Sequence, residues 1–294
     1  MKLPPEKWIP IAQEICRQHN IVASKLTPYT NGSNWVASAD GKTIVKIFPD
    51  LHRHQWESER RALKHLEIHT LSVPIPKLLA EGKLPSGETY VLMTQLPGES
   101  LEVVWPKLDL IAKAQTLNQI GALMAEAHQI PVGSLSDLAP NWSELLKKQI
   151  QNCRSRHEKL EMPKWFLNSV ESYLEGFTLP KKSSVILTGE YTPFNLLVDA
   201  SGKIRAMIDF GDVLIGHPEY DLVGPCTFLG EGNPKLIRSL FEGYGISLDS
   251  QIRKRVLALS ILHRYSDLKS QIRIPDWMNR VGSFEELENL VLPI

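Results

Sequence analysis

In the stretch LTGEYTPFNLLVD, Glu190 precedes Asn195 by five positions, and Asp209 follows the asparagine by fourteen residues in IDFGD. A carboxylate so placed could take or orient a hydroxyl proton, and an amide oxygen beside a second carboxylate suits a hard cation such as Mg²⁺. Far upstream, Lys46 sits among apolar neighbours in KTIVKIF, and Glu59 lies in HQWESERRALKHLEIH. A charge placed among apolar residues is costly unless it meets its opposite. Lys46 and Glu59 are therefore expected to pair. An edge-strand lysine reaching water would be the plain alternative for Lys46 alone, and a purely structural salt bridge the alternative for the pair.

The elements that must position these groups follow from periodicity. Ile44, Lys46 and Phe48 alternate with Val45 and Ile47, as on a strand. Trp56, Glu59, Leu63 and Leu66 follow a 3–4–3 spacing that sets the acid on the buried stripe of a helix, with Glu57 turned away to solvent. Around them, β-like runs at 21–29, 34–40, 42–48, 77–84 and 88–96 are separated by NGSN, DGK and PSGE turn signals. With a first helix at 6–19 and a second at 54–69, this order predicts a mostly antiparallel sheet carrying one helix, an α+β unit. The turn YTNGSNWV places Gly32, Ser33 and Asn34 where backbone N–H groups could approach phosphates, though NG between strands is equally a plain hairpin turn. No G-x-x-x-x-G-K-[ST] is present, which excludes a P-loop.

After residue 96 the texture becomes helical, with expected helices at 106–129, 142–157, 164–176, 234–244 and 250–269. Residues 185–212 interrupt them as strand, loop, strand, turn, strand. The expected division is an N-terminal lobe over 1–96 and a helical C-terminal lobe over 97–294. A formal net charge of zero argues against nucleic-acid and membrane-surface partners. The N-terminus has no secretory apolar core, and no stretch approaches the ~20 apolar residues of a membrane span. Cys16, Cys153 and Cys226 are scattered, which fits reduced thiols in a cytoplasmic protein and neither a disulfide framework nor a zinc site. No obligate protein partner is implied.

In this order and on these elements, the chain resembles the aminoglycoside phosphotransferase and choline kinase-like family, from about residue 30 to 222. VPIPKLLAEG and YVLMTQLPGESL match its strand and hinge, GALMAEAHQIP its helix ending in histidine, and AMIDFGDVLIGHPEYDL its metal-aspartate segment. The resemblance implies a bilobal protein-kinase-like fold, small antiparallel-sheet lobe and mainly helical lobe, with nucleotide in the cleft between them. It implies ATP, or another nucleoside triphosphate, and Mg²⁺ as cofactors and a small-molecule hydroxyl as acceptor. By the same resemblance, Lys46, set by Glu59, would hold the α- and β-phosphates beneath Gly32, Ser33 and Asn34. The backbone of Thr94, Gln95 and Leu96 would face the base, Asn195 and Asp209 would bind magnesium, and Asp221 would brace the catalytic loop.

Two positions depart from the family pattern H-G-D-x-x-x-x-N. Thr188 stands for the histidine, and Glu190 for the catalytic aspartate. The extra methylene moves the carboxylate by roughly 1.5 Å, and misplacing a catalytic group by ~1 Å can cost about 100-fold. Two readings follow: an active small-molecule kinase in which Glu190 orients the acceptor, and a weak or inactive nucleotide-binding pseudokinase. Modification of a protein side chain is a third, disfavoured by the short VLIGHPEYD link after the metal aspartate. Acids modestly outnumber bases after residue 209, which gives little support for a polycationic acceptor. Asp212, Glu219, Glu231 and Glu242 could line a pocket but are expected mostly on solvated faces, and Arg253–Arg255 on a helix surface; Trp277 and the His263–Tyr265 segment could stack on a ligand but are expected in helix packing.

Overall fold

The structure is a computed structural model that describes residues 5–29, 32–188 and 191–294. The chain divides into two compact units, one formed by the described residues up to Thr70 with Pro74–Pro97 and Ala206–Val213, the other by Leu71–Val73, Gly98–Arg205 and Leu214–Ile294.

In the first unit a helix, α1 (Pro5–Gln18), precedes β1 (Leu26–Tyr29), β2 (Trp35–Ala39) and β3 (Thr43–Phe48). Helix α2 (Arg53–Leu66) follows, then β4 (Leu78–Lys83) and β5 (Thr89–Thr94). The strands form one antiparallel sheet in the order β1-β2-β3-β5-β4. Period-two alternation gives β3 two faces. Val45 and Ile47 join Ala37, Leu92 and the α1 residues Trp8, Ala12 and Ile15 in one apolar core. Lys46 points the other way, in register between Val36 and Val91. Because β3 is central in the sheet, the lysine cannot turn round an edge into water, and the edge-strand alternative fails. Helix α2 packs on β3, β4 and β5, burying Glu59, Ala62, Leu63 and Leu66. Trp56 Nε1 donates to the Tyr90 carbonyl at 3.0 Å.

The second unit begins with β6 (Glu99–Ser100), α3 (Leu101–Val104), α4 (Leu110–Ala127), α5 (Trp142–Lys159) and α6 (Lys164–Leu174). Next come β7 (Val185–Leu187), β8 (Leu196–Val198), β9 (Ile204–Met207), whose last two residues fall in the first unit, and β10 (Leu214–Gly216). Helices α7 (Val223–Phe228), α8 (Pro234–Tyr244), α9 (Ser250–Leu262), α10 (Leu268–Gln271), α11 (Trp277–Arg280) and α12 (Phe284–Val291) complete it. Side-chain caps start several of these helices, among them Asp109, Asn141, Asn233, Asp249 and Ser283. Helices α4 and α8 touch backbone to backbone: a Cβ on Gly121 would collide with the Leu240 carbonyl, and one on Gly243 with that of Asn118.

One expectation is corrected, and two strands appear where none was expected. The helix expected over 250–269 ends at Leu262. There His263 turns to extended backbone and stacks on Tyr220, Arg264 N–H donates to the Tyr220 hydroxyl, and Asp267 caps α10. The link after Asp209 contains β10, antiparallel to β7, and LPGES contains β6, paired with β8. Two- and three-residue strands are too short to show a period. Cys16, Cys153 and Cys226 are buried free thiols. Among the described residues no group of three or more His, Cys, Asp or Glu could hold a metal ion, and no helix is long and apolar enough to cross a membrane.

Candidate active site

Lys46 projects from the centre of the first unit's sheet between two acids. Its Nζ lies 2.7 Å from Glu59 Oε2 and 2.9 Å from Asp209 Oδ1. The lysine and Glu59 are buried, with side chains 5% and 1% exposed, whereas Asp209 is 45% exposed. The spacing on α2 delivers Glu59 as expected. Asp209 arrives because the chain returns to the first unit at residue 206. Asp209 adopts a left-handed backbone, φ +64°, a region in which aspartate is enriched among non-glycine residues. Its Oδ1 also accepts from Gly211 N–H at 3.2 Å.

One cation between two carboxylates sets the electrostatics. Burial disfavours the Lys46 ammonium, but attraction to Asp209 and Glu59 outweighs it and holds the lysine above its ordinary pKa. Burial, aided by the Asp209 charge, overcomes the pull of Lys46 on Glu59 and pushes its pKa up to about 7. For Asp209, burial is overcome by Lys46 and by the Gly211 amide, and the acid stays below the ordinary range. The exposed carboxylate is thus held ionised, while the buried one is close to taking a proton.

A polar chain that the sequence did not announce joins the turn before β2 to this cluster. Asn34 Nδ2 donates to Gln55 Oε1 at 2.9 Å, His52 Nδ1 meets Asn34 Oδ1 at 3.0 Å, and Gln55 Nε2 donates to Asp212 Oδ2 at 3.2 Å. Gln55 precedes Glu59 by one helical turn, and that spacing was the signal available for it. Asp212, expected on a solvated face, is instead part of this chain. Gly32 is exposed with φ +103°, and a Cβ added to it would meet open space. The glycine is needed there for its backbone conformation; Ser33 is exposed beside it. At the end of β5, Thr94 N–H donates to the Lys77 carbonyl and Gln95 N–H to that of Lys42. Of the three expected base-facing residues, Leu96 alone keeps its amide out of hydrogen bonds with other described residues.

The second unit carries the segment in which Glu190 and Asn195 lie in sequence. Glu190 and Gly189 lie outside the described residues. On either side the loop is fastened. Thr188 N–H donates to Asp221 Oδ2 at 3.2 Å, and His128 Nε2 donates to the same oxygen at 3.1 Å. His128 Nδ1 then accepts from the Tyr244 hydroxyl at 2.9 Å. Downstream, the Pro193 carbonyl accepts from Glu102 N–H and the Ser100 hydroxyl. Tyr191 and Asn195 are buried, and Asn195 N–H closes a turn to the Thr192 carbonyl at 3.2 Å. Asn195 belongs to the second unit and Asp209 to the first.

Glu219 and Arg255 depart from the surface positions expected of them. Glu219 is buried and accepts from Arg255 Nε and Nη2 at 2.7 and 2.9 Å. Glu231 likewise takes Trp105 Nε1 and Lys113 Nζ, each at 2.7 Å.

Solved structures share this architecture. The GDP complex of wild-type aminoglycoside 2'-phosphotransferase-IIIa is 18% identical over 96% of this chain and 98% of that one, with a TM-score of 0.72. The GDP and kanamycin complex of APH(2")-IIia is 19% identical over 96% and 97%, with a TM-score of 0.73. The streptomycin–ATP–APH(2")-IIa ternary complex is 18% identical over 97% and 98%, with a TM-score of 0.64. The fold is the α+β, bilobal kinase-like one. The model of the phosphotransferase enzyme family matches residues 29–258, well over half of the sequence, and the chain is a member of that family.

Proposed function

We propose that this phosphotransferase moves the γ-phosphate of ATP, or of another nucleoside triphosphate, to a hydroxyl of a small molecule. The observation that carries this reading is Lys46, buried between Glu59 and Asp209 with its ammonium held charged. Such a lysine is preorganised to meet phosphate oxygens, and Asp209 can hand over its share of the cation when an anion arrives. The turn at Gly32, Ser33 and Asn34, fixed through Gln55 and His52, would cover the phosphates. The Leu96 amide, with Thr94 and Gln95 beside it, would face the base.

Asp209 is ionised, half exposed and offers hard oxygen donors of the kind magnesium takes, and the amide oxygen of Asn195 would be the second protein ligand. Bound there, the ion would offset negative charge on the phosphate oxygens. Glu190 would orient the acceptor hydroxyl and take its proton as the new O–P bond forms. The bond from the γ-phosphorus to the bridging oxygen breaks, and the nucleoside diphosphate leaves with that electron pair.

The test is transfer of labelled phosphate from ATP to hydroxylated small molecules, comparing wild type with Glu190→Gln and Glu190→Asp. Loss of general-base help in Glu190→Gln is expected to lower kcat by about 10²–10⁴-fold. Tight nucleotide binding with no transfer to any acceptor, unchanged by either variant, would establish the pseudokinase reading instead.

A further inference from the structure

The second unit contains a cavity of about 180 Å³ whose walls include Thr192 and Phe194 of the candidate catalytic loop, Thr227 and Phe228 of α7, Tyr265, and Gln271 of α10. We infer, resting on the proposed kinase function, that this cavity receives the acceptor, and that the acceptor is a neutral, single-ring alcohol rather than a polycationic aminoglycoside.

Position is the first ground. Thr192 and Phe194 lie between Glu190 and Asn195 in sequence, so a hydroxyl carried on a body seated here would be delivered to the loop that holds the candidate base. Size is the second. Drug-sized ligands occupy about 300–1,000 Å³, whereas an apolar cavity of about 150 Å³ holds one benzene ring. A space of 180 Å³ encloses one ring, and several linked sugars would have to extend outside it.

Charge is the third ground. None of the described residues lining the cavity is an acid, a lysine or an arginine. The acids close by are engaged. Asp267 accepts from the Ser270 hydroxyl at 2.7 Å, and Glu102 meets Arg273 through two contacts of 2.7 and 3.0 Å. The Arg273 guanidinium lies over the rings of Phe194 and Phe228, at 5.7 and 5.2 Å from their centroids. A ligand carrying several ammonium groups would meet a cation here, and no carboxylate among the described residues that line the cavity. A flat neutral body meets what it needs. Phe194 is 47% exposed and set edge-on to Phe228 at 5.8 Å, leaving an aromatic surface at the cavity. Thr192 is nine-tenths buried, and its hydroxyl has no hydrogen-bond partner among the described residues. A buried hydroxyl left unmatched is costly, and an alcohol oxygen of the ligand would supply the partner.

The experiment measures binding of 2-phenylethanol, cyclohexanol and kanamycin to the full chain by ligand-observed NMR without nucleotide, and then phosphate transfer from ATP to each. Wild type is expected to bind both ring alcohols saturably and kanamycin not at all over the same range. Phe194→Ala should weaken 2-phenylethanol binding at least about fivefold. Its nucleotide affinity should stay unchanged, which shows that the variant is folded. Thr192→Val should weaken 2-phenylethanol more than toluene, which lacks the hydroxyl. Kanamycin binding tighter than the ring alcohols, or ring binding indifferent to Phe194→Ala, overturns the inference. Transfer to kanamycin would overturn it while upholding the kinase. Ring binding without any nucleotide binding would uphold the cavity's preference for neutral rings but overturn the kinase reading, and with it the cavity's role as acceptor site.

Discussion

Glu59 accepts from the Phe210 backbone N–H through Oε1 at 3.4 Å while Oε2 pairs with Lys46 at 2.7 Å. One buried carboxylate thus joins helix α2, the central strand β3 and the segment that carries Asp209. Removing it strands a buried cation and an amide together. Glu59→Ala is therefore expected to cost about 3–5 kcal/mol in denaturant unfolding. The paired change Lys46→Met with Glu59→Leu should cost clearly less than the sum of its parts, and strict additivity in that cycle would deny the coupling.

The same acid sets a pH dependence. Glu59 has a pKa of about 7 in the folded chain, raised by burial and by Asp209 from an ordinary value of 4.5. A raised carboxylate binds its proton more tightly when folded, so stability falls as pH climbs from the unfolded pKa to the folded one. Between pH 4.5 and 7, wild type should lose stability relative to Glu59→Gln, by on the order of 1–3 kcal/mol. Melting temperatures of the two proteins across that window decide it: parallel curves would refute the raised pKa.

How much of this was legible in the sequence differs from residue to residue. Glu59 could be found because helical spacing set a charge on an apolar stripe, which is a local signal. Its contact with Lys46 followed from the need of each for a counter-charge. The third member, Asp209, meets Lys46 across 163 residues, and no periodicity spans such a gap. Glu219 and Arg255 were misread for a related reason. Glu219 in HPEYD and Arg255 in RKR have the composition of a surface, and only the stacking of α9 on the turn before α7 makes them partners. The polar chain from Asn34 through Gln55 to Asp212 stayed hidden because each of those residues is ordinary where it stands.

Asp209 should matter more to chemistry than to folding. Asp209→Asn keeps the size of the side chain and can still contact Lys46, but it gives up the charge proposed to hold the metal. Its turnover is expected to fall by roughly 10²-fold or more, with a melting temperature near that of wild type. Chelation with EDTA should abolish wild-type turnover and excess Mg²⁺ should restore it. Full activity in either case would remove Asp209 from the metal site.

Arg255 offers a test of the buried ion pair in the second unit. Glu219 is 1% exposed and depends on the Arg255 fork for both oxygens, with Lys182 3.7 Å away. Arg255→Ala should destabilise by about 3 kcal/mol, and Arg255→Lys should recover only part because a lysine cannot bond both oxygens in that planar geometry. Equal stability of the alanine and wild-type proteins in urea would show that Glu219 can be satisfied without the fork.

Asp221 binds the loop backbone at Thr188 and is itself fixed by His128, which Tyr244 holds in turn. All of these groups are at least half buried, so the loop's entry is set by a chain of hydrogen bonds with little solvent to substitute for them. Asp221→Asn removes the charge-assisted character of two of those bonds. The expected result is a shift of the loop large enough to displace Glu190, and ~1 Å of displacement can cost about 100-fold. Because Lys46, Glu59 and Asp209 belong to the other unit, KM for ATP should stay within about twofold while kcat falls by roughly 10–100-fold. Tyr244→Phe, which takes away only the far end of the chain, should lower kcat much less. A variant at Asp221 that raised KM for ATP and left kcat alone would show that this acid supports nucleotide binding rather than the loop.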